Sequence, residues 1–155
     1  MTDYQLLTAQ MLAFAETERD FVPLLANVSA LLYDALPRLN WAGFYLMDRG
    51  SLLLGPFQGK PACIRIEIGK GVCGTAVQQD QTQRVADVHR FPGHIACDAA
   101  SASEIVVPIH SGGAVVGVLD IDSPETARFD EADESGLKAL VAQLEQAADF
   151  SRLRL

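Results

Sequence analysis

The sequence predicts an α+β domain. Apolar residues recur at helical spacing in two N-terminal stretches. Short β-rich runs separated by tight-turn residues fill the middle, and a helix with an acidic first turn closes the chain. At 155 residues it reads as one domain over residues 1–155, large enough to bury a core without staples.

Thr2 to Glu18 reads as a helix, with Leu6, Leu7, Met11, Ala13 and Phe14 on one broad apolar side. Phe21 and Pro23 punctuate. A second helix then carries Leu24, Leu25, Val28, Leu31, Leu32, Ala35 and Leu36, and Pro37 ends it. Residues 40–47 form a strand, because Trp41, Phe44 and Tyr45 favour a pleated surface. A turn at Asp48-Arg49-Gly50-Ser51 pairs that strand with residues 52–57. A third strand spans Ala62 to Ile68, with Cys63 near its start. Gly69-Lys70-Gly71 then leads into a short helix, Val72 to Gln79, carrying Cys73.

Gln83 to Val88 is a short strand, and a loop follows from His89 to Ser103. Loops that long inside a compact domain are usually functional. The next hairpin turns at Ser111-Gly112-Gly113. On its second strand Val115, Gly117, Leu119 and Ile121 face helices, and Val116, Val118, Asp120 and Asp122 face the other way. Asp130 is an N-cap with Glu131, Asp133 and Glu134 behind it, and the last helix shows Leu137, Leu140, Val141 and Leu144 on one face.

Net charge is -8 and the pI about 4.7, which excludes nucleic acid and anionic membrane surfaces as natural partners. No apolar run reaches the length of a membrane span. The N-terminal stretch lacks the basic start of a secretory signal, so the expected location is cytoplasmic. An odd count of 3 cysteines argues against a disulfide framework.

The chemistry gathers between Gly93 and Pro124. Asp120 and Asp122 sit two apart in a strand and leave the same face. With Glu104 they form a cluster of acids, costly unless a cation or a shared proton compensates. Cys97 lies nearby in a polar loop rather than an apolar run. A thiol beside acids fits a site that holds a cationic small molecule while a cysteine works on it. Cys63 and Cys73 read either as ordinary core or as thiols that would resolve an oxidised Cys97. A zinc site built from Cys97, His94, His89, Cys63 and Cys73 is the rival, but neither CxxC nor HxxxH spacing is present. Gly69 to Gly74 fits GxGxxG, yet no βαβ unit surrounds it, so it reads as a turn. Trp41 is either core or an aromatic wall for a small apolar group.

Hairpin parity decides whether Glu104 joins the aspartates. A plain two-residue Gly112-Gly113 loop would set Glu104 opposite Ile121, pointing away from Asp120 and Asp122. An odd loop or a bulge is therefore predicted. A three-residue loop would pair His110 with Ala114 and set Glu104 opposite Asp120, with Asp122 one pleat further along.

The runs NWAGFYL, GPFQGKPACIRI, GKGVCGTA, DVHRFPGHIACDAASASEIVVPI and GVLDIDSP resemble the free methionine-(R)-sulfoxide reductases, single-domain enzymes of the GAF fold. The resemblance spans about Asn40 to Leu140, and the N-terminal helices match only in character. It implies a GAF-like domain: a mostly antiparallel sheet of about six strands, with N- and C-terminal helices on one face. It implies reduction of free L-methionine-(R)-sulfoxide through a sulfenic acid and an intramolecular disulfide recycled by thioredoxin, with no cofactor and no metal. Cys97 matches the catalytic cysteine and Cys63 the resolving one. Cys73 matches a third cysteine, and the order of Cys63 and Cys73 in the relay stays open. Glu104, Asp120 and Asp122 match acids that hold the substrate's ammonium and sulfoxide, with Asp120 also on the catalytic side. Trp41 and Tyr45 match aromatics lining the methyl end. The apolar N-terminal helices allow a homodimer. A catalytically silent GAF module that only binds a small ligand is the alternative, and the three cysteines with the acids argue against it.

Overall fold

The computed structural model describes every residue except Ile95, Ala96 and Asp98. Those three belong to the predicted loop and to the GHIACD motif, so that part of the reading lies outside the described residues.

Helix α1 runs Tyr4–Thr17, capped by Asp3, whose side chain accepts from the Leu6 amide. Its buried stripe is narrower than predicted. Leu7 and Met11 are buried, whereas Leu6 and Ala13 are exposed, because α1 is an outer helix resting on its neighbours along one line. Helix α2 runs Phe21–Ala35 and starts before Leu24, since Asp20 caps it. Pro23 does not interrupt it: in the first turn its missing N–H has no intrahelical partner to lose.

Strands β1 (Trp41–Asp48) and β2 (Ser51–Gly59) are joined by Arg49 and Gly50, both at positive φ, the geometry a two-residue hairpin turn requires. β3 is only Arg65–Ile66, so Cys63 precedes the strand rather than belonging to it. The segment around Cys63 is held otherwise: its carbonyl accepts from the Tyr45 hydroxyl at 2.8 Å, and its sulfur is bonded elsewhere. Helix α3 (Gly71–Gln79) follows, then β4 (Gln83–Val85). β4 is shorter than predicted because the chain tightens into a single 3₁₀ turn at Val88–Arg90. β5 (Ser103–Ser111) and β6 (Ala114–Ser123) form the next hairpin. Helix α4 (Glu131–Ala147) opens with a reciprocal capping box between Asp130 and Asp133.

The six strands make one antiparallel sheet in the order β3-β2-β1-β6-β5-β4. It is covered on both faces. On one, α1, α2 and α4 bury Leu25, Val28, Leu32, Leu140 and Leu144 against Phe44, Leu119 and Ile121. On the other, α3 sets Val72, Cys73 and Ala76 over Trp41, Tyr45, Val106 and Val118. Truncating one of these fully buried leucines to Ala would cost about 2–5 kcal/mol.

The β5–β6 register corrects the predicted hairpin in detail. The loop is the two-residue Gly112-Gly113, with Ser111 opposite Ala114 and both glycines at positive φ. The ladder then shifts by one. His110 faces Val115, but Ile109 faces Gly117, leaving Val116 as the extra residue of a bulge. Val116 therefore packs with Leu119 and Ile121 in the helix-side core, the opposite of the face predicted for it, and Val115 belongs to the short unshifted stretch next to the turn. Beyond the bulge Glu104 lies opposite Asp122 rather than Asp120, and Asp120 lies opposite Val106. The odd count comes from the bulge and not from the loop, and it puts all three carboxyls on the α3 face.

Candidate active site

The α3 face holds a cavity of about 50 Å³. Among its lining residues are Trp41, Tyr45, Cys73, Cys97, Glu104, Asp120 and Asp122. Seven of the eight residues singled out from sequence thus meet at one place. The eighth, Cys63, is tied to it by a disulfide to Cys97, Cα to Cα 5.6 Å, across 34 residues of chain. Cys73 remains a free, buried thiol. Disulfide bonding occupies two sulfurs of the zinc set considered above, and His89 is exposed and turned to Asp87 at 3.1 Å.

The acids come from two adjacent strands. Glu104 is 7% and Asp120 5% exposed. The Cys73 sulfur and an oxygen from each of those two carboxyls lie within 4.8 Å of one another. Burial pushes Glu104 well above the usual carboxylate range, and repulsion from Asp120 and Asp122 adds to it. Burial likewise raises Asp122, with Asp120 adding to the shift. Asp120 is also raised by burial, but hydrogen bonds from Glu104, Asp122 and Cys73 pull back toward the ionised form. All three carboxyls thus hold a proton more tightly than ordinary ones, Asp120 the least of them, because its neighbours' hydrogen bonds favour its ionised form. The Cys73 thiol is pushed far up, by burial first and then by Asp120 and Glu104, so it stays protonated and is a poor nucleophile.

One oxygen of Asp120 and one of Asp122 are buried and reach no fixed donor among the described residues; only a proton on a neighbouring carboxyl could serve them. Unpaired buried acceptors of this kind suit an ammonium group. The other Asp122 oxygen accepts from Ser101 Oγ at 3.1 Å, and Ser101 Oγ in turn accepts from Asn40 Nδ2 at 3.0 Å. Sequence reading missed both residues. Ser101 is one of several small polar residues in an Ala/Ser-rich loop, and nothing local sets it apart.

Trp41 and Tyr45 form the aromatic wall. Strand pairing sets Trp41 opposite Asp122 and Tyr45 opposite Val118, so the wall shares a face with the acids. Trp41 stacks on Tyr45 at 5.9 Å and on Phe57 at 5.1 Å between centroids. Its indole N–H donates to the Lys60 carbonyl at 3.2 Å. Between them Gly43, opposite Asp120, carries no side chain. A Cβ there would run into the Cβ of Phe57 and lie 2.8 Å from the Pro56 carbonyl oxygen.

A redox disulfide and a carboxyl-lined pocket on a doubly covered antiparallel sheet define a small ligand-binding domain with thiol chemistry built in. The GAF domain model matches residues 11–149, and the chain belongs to the GAF-domain family, among its free methionine-R-sulfoxide reductases. A relative from Escherichia coli, named free methionine-R-sulfoxide reductase, is 60% identical over 129 residues, 83% of this chain and 78% of that protein. A relative of the same name from Saccharomyces cerevisiae is 47% identical over 134 residues, covering 81% and 74%. The Staphylococcus aureus fRMsr solved in complex with substrate is 54% identical with a TM-score of 0.91, covering 96% of this chain and 97% of that one.

Proposed function

We propose that this protein reduces free L-methionine-(R)-sulfoxide to methionine, as a single cytoplasmic domain recycled by thioredoxin. The observation that carries the reading is the Cys63–Cys97 disulfide beside a pocket of buried carboxyls. Similarity to the E. coli and yeast reductases supports it.

In the reduced protein the Cys97 thiolate attacks the sulfoxide sulfur. A bond forms between the two sulfurs, charge builds on the sulfoxide oxygen, and a protonated carboxyl of the cluster supplies its proton. The oxygen passes to the Cys97 sulfur as its bond to the substrate sulfur and the new sulfur–sulfur bond both break, so methionine departs and Cys97 is left as a sulfenic acid. The Cys63 thiol attacks that sulfur, water leaves and the disulfide closes. A dithiol then returns two electrons and two protons. Asp120 and Asp122 receive the substrate ammonium on their unpaired oxygens, and Trp41 and Tyr45 pack on the methyl end. Cys73, protonated beside Asp120, takes the part of a hydrogen-bond donor rather than a nucleophile. The exposed small and apolar side chains of α2, Val22, Ala26, Ala30 and Tyr33, give a second copy a face to pack on, so the assembly proposed is a homodimer.

The test is NADPH consumption in a thioredoxin-coupled assay with both sulfoxide epimers, free and N-acetylated. Turnover is expected on the free R epimer alone. A blocked amine leaves the buried acids unpaired, which rejects the acetylated substrate by a factor on the order of 10³ or more. Equal rates on the acetylated form would remove the acids from ammonium binding, and no turnover on any form would overturn the function.

A further inference from the structure

Apart from Met1, Ile64 is the most exposed large apolar side chain among the described residues, at 71%. A single exposed isoleucine needs no explanation by itself, but the setting of this one is specific. It directly follows Cys63, half of the disulfide. It is also held in place on both sides. Its carbonyl accepts from the Leu54 amide at 2.8 Å, and Arg65 beside it clamps the Asp48 carbonyl at 3.1 Å, Ser51 Oγ at 2.7 Å and the Asp48 carboxylate at 3.0 Å. β3 is an outer strand, so among the described residues its far edge has no strand partner in the sheet. The exposed charges of residues 60–70 are three cations, Lys60, Arg65 and Lys70, against one anion, Glu67, and with Arg65 paired to the Asp48 carboxylate one positive charge is left in excess. That is a locally positive rim on a chain of net charge -8.

We propose that Cys63-Ile64-Arg65 is the docking edge for the protein dithiol that reopens the Cys63–Cys97 bond. The partner has an acidic rim, lays an extended segment along the open edge of β3 and packs apolar surface on Ile64. The proposal rests on the redox reading above. The partner's thiolate attacks Cys63 Sγ, forming a mixed disulfide, and Cys97 leaves as a thiolate and takes up a proton. The partner's second thiolate then attacks its own first sulfur and releases Cys63 as a thiol. The partner loses two electrons, and this protein gains two electrons and two protons. A backbone already held at Ile64 and Arg65 loses little freedom on contact, which favours a short-lived but specific encounter.

The experiment follows reduction of the oxidised full-length protein by reduced thioredoxin and, separately, by dithiothreitol, with no sulfoxide present. In Ile64→Asp the second-order rate with thioredoxin is expected to fall about tenfold. The dithiothreitol rate and the melting temperature should stay at wild type, and Ile64→Leu should recover the thioredoxin rate. An unchanged thioredoxin rate in Ile64→Asp, or a parallel fall with both reductants, would overturn the docking edge. A single-turnover reaction of the reduced wild-type protein with free methionine-(R)-sulfoxide tests the underlying function separately. If it yields no methionine while the thioredoxin–dithiothreitol contrast persists, the function falls and the docking edge stands.

Discussion

Glu104 stands directly across from Asp122 on the β5–β6 ladder, and one extra residue, Val116, puts it there. Without the bulge Glu104 would oppose Ile121 and enter the helix-side core. The pocket would then lose an acid, and the core would gain a buried charge with no partner.

That placement has a cost visible in stability. Glu104 is raised well above its ordinary 4.5. The folded state therefore holds the Glu104 proton more tightly than the unfolded chain does. Its contribution to stability is complete below about 4.5 and is lost as pH rises through the elevated folded value. Glu104→Gln should melt higher than wild type at pH 8 by about 2–4 °C, roughly 1 kcal/mol in a domain of this size. The difference should close as pH approaches 4.5. Thermal melts across that range check it, and an equal or lower melting point at pH 8 would contradict the upward shift of Glu104.

The thiols divide by reactivity. In the oxidised protein Cys73 is the free cysteine and is buried, so a thiol reagent should find none in the native state and one after unfolding. Reduction should bring the total in denaturant to all 3 cysteines. Cys97→Ser should release no methionine even in a single turnover. Cys63→Ser should release about one equivalent and then stall, because the sulfenic acid has lost its resolving thiol. Stoichiometric methionine from the Cys97→Ser protein would reverse the roles.

Gly43 should tolerate no side chain. A methyl there meets Phe57, whose Cα would be 2.7 Å away, at the point where the β1–β2 register shifts between Gly43 and Tyr45. Gly43→Ala should destabilise by ~1–3 kcal/mol through overpacking and should also disturb the Trp41–Phe57 stack. Urea unfolding and tryptophan fluorescence, with a single tryptophan in the chain, report the two effects separately. An unchanged midpoint would show that Phe57 moves aside freely.

Local chemistry fixed much of this protein in advance. The spacing of Leu25, Val28 and Leu32 dictates one buried face of α2, and Asp130 with Asp133 dictates where α4 starts, because both depend on residues within a turn or two. Asp120 and Asp122 share a face for the same reason: the strand period is two. What the sequence could not decide depends on distant partners. Cys63 could not be placed outside β3, since that boundary follows from its bonds to Cys97 and Tyr45. Nothing in the Ala/Ser-rich loop marked Ser101, whose role comes from Asp122 across the sheet. Parity required an odd residue in the β5–β6 hairpin, but only packing against the helix layer selected Val116 on β6 over a third residue in the turn. Gly112 and Gly113 both accept positive φ, which makes the tight turn cheap, and burying Val116 among Leu119 and Ile121 stabilises the bulge where an extra loop residue would have stayed in water.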